Sequence, residues 1–225
     1  MKVQLGDHAL EMLPDRAVWW PEQSAVLVAD VHLGKDQVFR RQGLAVPAGV
    51  LEQDLDRLTL LIEDMQADRL IILGDLIHAP PHPDDDWPDR IGQWRADHGE
   101  IELDLVLGNH DRDLTIWLHQ WQIDGHDEVL ELDGLLLMHE WRPRLPAPGL
   151  SGHLHPGARL KTRREQLRLP AYLLDASPGR EHLVLPAFGC FTGLMDEVEF
   201  PWDQRYVTTG ERVLPLPAGS SSSRR

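Results

Sequence analysis

Eight residues with metal-binding or proton-transfer chemistry stand at the ends of apolar runs: Asp30 and His32, Asp75, Asn109 and His110, His139, His153 and His155. Carboxylate, imidazole and amide oxygen form a hard-to-borderline donor set, suited to Mn, Fe, Zn or Mg rather than to thiophilic metals. Asp30 and His32 are two residues apart, as are His153 and His155. On an extended segment that spacing puts both side chains on one side. A single carboxylate between the two pairs, Asp75, can bridge two cations with its two oxygens, as in two-metal hydrolases. Gly74, Gly108 and Gly152 precede three of these turns and allow backbone geometry that a Cβ resists. Taken one at a time, a buried His or Asp is ordinarily a hydrogen-bonded core residue or a cap. Eight of them in this order are not explained that way.

The elements that must carry these residues are legible in the apolar periodicity. Ser24–Ala29, Arg69–Leu73 and Ile101–Leu107 read as buried strands, each running into a candidate ligand. Ala48 to Met65 places Val50, Leu51, Leu55, Leu58, Leu61, Ile62 and Met65 on one face at helical spacing, with Pro47 as the start residue. Further helices are expected at Asp89–His98 and Asp113–Trp121. Lys2–Leu5, His8–Leu13 and Ala17–Trp20 form a hairpin-like opening. Glu128–Leu132, Leu135–Met138, Ala158–Lys161, Leu167–Leu174, His182–Leu185 and Tyr206–Leu214 supply strands in the second half. Alternating strands and helices followed by mostly strands point to an α/β fold with sheets packed face to face. In such sheets ligands bind beyond the carboxyl ends of the strands, which is where these eight residues would converge.

Composition limits the classes of function. At 225 residues with 42% hydrophobic and 26% charged residues, the chain has the makeup of a globular protein. It is expected to form one domain over residues 1–217, with a flexible tail at 218–225 (AGSSSSRR). No stretch without a charged residue is longer than His182 to Met195, which falls short of the ~20 apolar residues a membrane span needs. No secretory signal is visible at the N-terminus, so a cytoplasmic location is expected. The single cysteine, Cys190, excludes an internal disulfide and a thiolate metal cluster. A net charge of −15 argues against a surface that attracts nucleic acid indiscriminately. The run from Arg142 to Arg168 nonetheless has seven basic residues against Glu165 alone, so a polyanionic substrate remains open.

Asp30-x-His32, Gly74-Asp75, Gly108-Asn-His-Asp111, a lone His139 after a strand and Gly152-His-x-His155 together resemble the signature of the calcineurin-like metallophosphoesterases. More narrowly, Ala29–Lys35, Phe39–Pro47, Gly108–Arg112, Gly152–Pro156 and Leu185–Gly193 are similar to the DNA-ligase-associated metallophosphoesterases. One departure stands at Leu194, where a second glycine is expected. The resemblance implies a four-layer α/β/β/α metallophosphoesterase sandwich with two divalent metal ions, Mn first, with Fe, Zn or Mg as alternatives. It implies one metal on Asp30, His32, Asp75 and His155 and a second on Asp75, Asn109, His139 and His153. His110 would then serve the leaving group, with Asp111 orienting its imidazole, while a metal-bridging hydroxide attacks phosphorus in line. The implied function is a phosphodiesterase or nuclease with DNA as substrate. It would act in DNA repair beside an ATP-dependent DNA ligase, a helicase and an exonuclease.

Lys35, Arg40, Arg41 and Arg112 are candidates for gripping substrate phosphate, since a planar guanidinium matches phosphate oxygens. Ion pairing with the abundant surface acids is the competing reading. The basic run from Arg142 to Arg168 would rim the cleft or form a solvated loop. His78, three residues after Asp75, could line the pocket, and Trp141 could stack on an unpaired base. Two other functions stay open: a small-molecule phosphatase acting on nucleotides or phosphomonoesters, and a partner of the repair ligase whose metals are structural.

Overall fold

The computed structural model describes residues 1–143, 145–161, 166–195 and 202–216. The expected tail at 218–225 and Arg144, Arg163 and Arg164 of the basic run lie outside the described residues.

The first sheet begins as an antiparallel meander of β1 (Lys2–Leu5), β2 (His8–Met12) and β3 (Val18–Trp20), and β3 pairs antiparallel with β4 (Ala25–Val28). From β4 the pairing turns parallel through β5 (Arg69–Leu73), β6 (Glu102–Val106) and β7 (Asp124–His126), giving the order β1-β2-β3-β4-β5-β6-β7. Parallel pairing needs crossovers, and these are α1 (Lys35–Arg41), α2 (Val50–Met65), α3 (Trp87–Asp97) and α4 (Thr115–Gln120). Successive side chains on these strands face opposite ways. Val26, Val28, Leu70, Ile72, Leu103 and Leu105 therefore meet the helix stripe Leu51, Leu55, Leu58, Leu61 and Ile62 of α2, with Ile91 and Leu118 of the next two helices. The alternate set, Ala25, Leu27, Ile71, Leu73 and Val106, faces the second sheet.

That second sheet comprises β8 (Val129–Leu132), β9 (Leu135–Met138), β10 (Gly149–Ser151), β12 (Gln166–Asp175), β13 (His182–Val184), β14 (Gln204–Thr208) and β15 (Val213–Leu216). Its order is β15-β14-β12-β13-β10-β9-β8, with β11 (Gly157–Lys161) paired to β12. Leu135, Leu137, Leu150, Tyr172, Leu174, Leu183 and Leu185 complete the core between the sheets. The buried Tyr172 hydroxyl lies 2.7 and 2.8 Å from the carbonyls of Leu13 and Ala17, tying the second sheet to the β2–β3 loop. The architecture is an α/β sandwich, with the helices on the outer face of the first sheet. Among the described residues no helix follows β7, so a covering layer on the other side is not seen there.

Several elements differ from expectation, and β10 has no counterpart among the expected strands. α2 starts at Val50 behind Gly49 (φ 79°) rather than at Pro47. The single strand expected at Tyr206–Leu214 is the hairpin β14–β15, turning at Gly210 (φ 87°). The short helix α1 and the three-residue β7 had no clear periodic signal.

Candidate metal centre

The parallel strands of both sheets deliver the eight residues to one end of the sandwich. Asp30 and His32 follow β4, Asp75 follows β5, Asn109 and His110 follow β6, His139 follows β9, and His153 and His155 follow β10. The expected extended Asp-x-His geometry is not what brings each pair together. Asp30 and His32 have φ of 54° and 52°, and His153 and His155 have 67° and 43°, so the chain kinks at each donor. Asp75, at 53°, does the same. Half of the ten non-glycine positive-φ positions among the described residues are these five. Such conformations cost about 1–3 kcal/mol each and persist where surrounding bonds over-determine them. Here those bonds are Asp30 N–H to the Gly74 carbonyl at 3.0 Å, His32 N–H to the Asp75 carbonyl at 2.9 Å, and Leu33 N–H to the Leu76 carbonyl at 2.8 Å.

The three glycines serve two different ends. Gly74 (φ 80°) needs both its conformational freedom and its lack of a side chain, since a Cβ there would sit 2.1 Å from His139 Nδ1. Gly108 and Gly152 provide room alone: a Cβ on Gly108 would sit 2.2 Å from Asp75 Oδ1, and one on Gly152 would sit 2.7 Å from Asp30 Oδ2.

Two groups of side chains result. Asp30, His32, Asp75 and His155 point donor atoms at one another, as do Asp75, His139 and His153, and Asp75 alone is common to both. Within the first, His155 Nε2 lies 3.3 Å from His32 Nε2 and 3.3 Å from Asp30 Oδ1. Within the second, His139 Nε2 lies 3.0 Å from His153 Nδ1, 3.2 Å from Asn109 Oδ1 and 3.5 Å from Asp75 Oδ1. The Nδ1–H of His139 donates to the Leu73 carbonyl at 2.9 Å, which leaves its Nε2 lone pair facing the group.

These residues fit divalent cations on two counts. Ligands held at ~2.0–2.1 Å with angles between square and tetrahedral stand about 2.9–3.4 Å apart, which four of the five spacings above match, the 3.5 Å from His139 to Asp75 lying just beyond. In addition, Asp30 and Asp75 are 0% and 2% exposed, and no Lys or Arg forms an ion pair with either among the described residues. Burial holds the facing His32 far below its ordinary imidazole pKa, helped by the charge of Lys35 and the neighbouring histidines. Two buried carboxylates that no Lys or Arg pairs are costly unless a cation joins them.

His110 sits at the edge of the centre, half-buried, with Nε2 3.9 Å from Asp75 Oδ2. Its orientation departs from expectation. The ring is held by Nδ1–H donating to the His78 carbonyl at 2.6 Å, not by Asp111. Asp111 is buried and accepts backbone N–H bonds from Gly108 at 2.9 Å, Ile77 at 3.3 Å and Leu76 at 3.4 Å, pinning the β5 and β6 loops to each other. Burial pushes its carboxyl up to about 6 against those bonds, and Asp75 adds to the rise. His78, singled out only by its spacing from Asp75, stacks on His110 with ring centroids 5.1 Å apart. Its ring nitrogens fall into a further all-imidazole group with His32 and His110. Burial, with the charges of Lys35 and His110, lowers His78 to about 4.

The expected phosphate grips divide. Lys35 is close enough to Asp30 and Asp75 for both to oppose the lowering that burial causes in its pKa. Arg112 is exposed one residue beyond Asp111. Arg40 pairs with the buried Asp36, and Arg41 pairs with Asp85 at 2.9 Å, so both guanidinium groups are engaged by carboxylates. Arg142 likewise pairs with Glu128 at 3.1 Å. Trp141 packs edge-on to Trp202 at 5.8 Å and does not stand alone as a platform.

No family model and no curated protein matches the sequence. Among solved structures, the nuclease MPE of Pseudomonas putida is 34% identical, with a TM-score of 0.80 over 96% of this chain and 99% of that one. Yfce, a phosphoesterase from E. coli, is 16% identical, with a TM-score of 0.40 over 81% of this chain and 86% of that one. Identity at the first level, over nearly the full length of both chains and with a two-group centre at the strand ends, shows that the chain belongs to the metallophosphoesterases, the metal-dependent phosphoric ester hydrolases.

Proposed function

We propose that the protein hydrolyses phosphodiester bonds in nucleic acid, with DNA as substrate. One divalent cation would be held by Asp30, His32, Asp75 and His155, and a second by Asp75, Asn109, His139 and His153. The observation that carries this is the sharing of the buried Asp75 carboxylate by two donor groups with no other common member. Bound there, Mn or a similar cation supplies Lewis acidity and makes hydroxide available near neutral pH. The chain's own residues supply the rest. The His78 carbonyl fixes the proton on His110 Nδ1, so the proton His110 can give to a leaving oxygen is the one on Nε2. Asp111 is a positioning residue: it holds the loop amides that set His110 and Asp75 against each other, and the His110 N–H donates to Asp75 Oδ1 at 3.0 Å. Lys35 and the exposed Arg112 would meet substrate phosphate.

That the Pseudomonas putida relative is a nuclease supports the polynucleotide substrate. The motif resemblance supports a place in DNA repair, beside an ATP-dependent DNA ligase, a helicase and an exonuclease. Carboxylate pairing of Arg40, Arg41 and Arg142 favours the alternative of a small nucleotide or phosphomonoester substrate, since it leaves less free positive charge for a polyanion. The deciding experiment is hydrolysis of a chromogenic diester and its monoester counterpart, followed by labelled single- and double-stranded DNA, after metal stripping and with Mn restored. Diester and DNA cleavage that return only with metal are expected. A monoester preference with intact DNA would sink the nuclease reading.

A further inference from the structure

Two of the segments quoted in the sequence have no part in holding metal: Phe39–Pro47 and Leu185–Gly193. The structure brings their aromatic residues together beside the centre. Phe39, on α1, lies edge-on to Phe191 with ring centroids 5.7 Å apart and edge-on to His78 at 5.5 Å. His78 in turn stacks on His110 at 5.1 Å and 24°. Rings from three separate segments therefore run without a break from the leaving-group histidine outwards, and Phe39, Phe191 and His78 are each only half-buried.

The wall is anchored firmly. Phe188 N–H donates to the Ala29 carbonyl at 2.8 Å and Gly189 N–H to the Asp30 carbonyl at 3.2 Å, so the segment leading to Phe191 is tied to the donor loop itself. From the other side, Arg57 of α2 donates to the Phe188 carbonyl at 2.8 Å and lies over the Phe188 ring at 4.0 Å, while Cys190 N–H donates to Asp54 at 3.0 Å. Lys35 Nζ sits 6.0 Å from the Phe39 ring centroid, putting a phosphate-compatible charge beside the wall.

We propose that Phe39 and Phe191, continued by His78, form a stacking subsite for an unpaired base of the nucleotide on the leaving-group side of the scissile phosphate. Every base has a π-face and aromatic stacking is tolerant of sequence, so the subsite would select unpaired over paired strands without reading base identity. A paired base is already stacked within its duplex and cannot reach the wall without being extruded. The inference rests on the nucleic-acid reading for the substrate it names, but its test does not require polynucleotide cleavage.

The test compares thymidylate with deoxyribose phosphate, which share phosphate and sugar and differ by the base. Each is measured as a competitive inhibitor of chromogenic-diester hydrolysis, in the wild-type holoenzyme and in Phe39→Leu and Phe191→Leu. Leucine keeps apolar bulk and removes the ring, and the two variants sit on separate segments, so misfolding of one leaves the other informative. Stacking by a single base corresponds to about a fivefold to hundredfold preference for thymidylate in the wild type. Either substitution should bring that ratio towards one, with the inhibition constant for deoxyribose phosphate within about twofold of wild type. A wild-type ratio near one, or a ratio unchanged in the folded variants, would overturn the proposal. Failure to cut DNA while the ratio behaves as expected would instead count against the nuclease reading and leave the subsite standing.

Discussion

Replacing Gly108 by alanine should disable the centre while leaving the fold intact. The added Cβ would lie 2.2 Å from Asp75 Oδ1 and 2.4 Å from Asp75 N, about 1 Å inside ordinary van der Waals contact with a carboxylate and a backbone at once. Neither is the free end of a flexible side chain, because Asp75 Oδ1 is held by the His110 N–H and the Asp75 carbonyl by the His32 N–H. The β5 and β6 loops must therefore part by roughly that distance. Misplacement of reacting groups by about 1 Å costs about a hundredfold in rate, or ~2.7 kcal/mol of barrier. Overpacking of this kind costs ~1–3 kcal/mol of stability, which a domain with ~5–15 kcal/mol tolerates. The melting temperature should fall by about 2–12 °C at this chain length. Initial rates on a chromogenic diester, with a thermal melt of each sample, read both quantities. Gly99→Ala serves as the control, since its Cβ meets only the Ala96 carbonyl at 3.5 Å. A folded Gly108→Ala with a rate within about threefold of wild type would refute the claim that Asp75 must stand where it does.

Three further outcomes follow from the same geometry. His110→Gln should retain bound metal by elemental analysis yet lose ~10²–10⁴ in rate on a diester with a poor leaving group; joint loss of metal and rate would make His110 a ligand instead. Asp111→Asn sets an amide N–H₂ against at least one of the three backbone N–H groups that the carboxylate accepts, so it should cost ~1–3 kcal/mol in a urea melt; an unchanged midpoint would remove its loop-pinning role. His182 is buried against Ser151 Oγ at 2.9 Å, and burial lowers its pKa to about 3. Between that value and the ordinary ~6.5 the unfolded chain binds one more proton than the folded one, so stability falls as pH drops below ~6.5, by at most ~1.4 kcal/mol per unit. Urea melts across that range should show a slope one proton shallower in His182→Gln, and parallel curves would show that His182 is protonated equally in both states.

Six of the eight donor-bearing residues are legible in the sequence because each follows a run of buried β-type residues, and parallel strands must empty at one end of a sheet. His153 and His155 follow only the short Gly149–Ser151 strand and are legible from their Gly-His-x-His spacing. The conformations of these residues are not. Period-two alternation placed Asp30 with His32 and His153 with His155 on shared sides, but the chain reaches that result through left-handed kinks that no residue type at those positions announces. The role of Gly108 was misread as conformational for a related reason: what it makes room for is Asp75, a neighbour only in the folded chain. Backbone partners are equally silent in sequence, so the carbonyl of His78 was missed as the group that orients His110, and the adjacent Asp111 was given that role. The carboxylate partners of two phosphate candidates, Arg40 and Arg41, are not evident from composition. Arg41 meets Asp85 across a loop that composition alone could not place. Arg40 is different: its partner Asp36 lies one helical turn earlier, so the pair was visible once α1 was recognised as a helix. The Phe39 and Phe191 contact joins two segments whose motifs are visible in the sequence but whose shared location depends on the tertiary fold.

Metal stoichiometry tests the central claim most directly. Metal-stripped protein should be titrated with Mn by calorimetry or by elemental analysis after desalting, for the wild type and for Asp75→Asn. The shared carboxylate predicts two equivalents per chain in the wild type and loss of both metal and diester hydrolysis in the variant. A wild type that saturates with one equivalent or none, or an Asp75→Asn protein that still binds two and turns over normally, would contradict a two-cation centre bridged by Asp75.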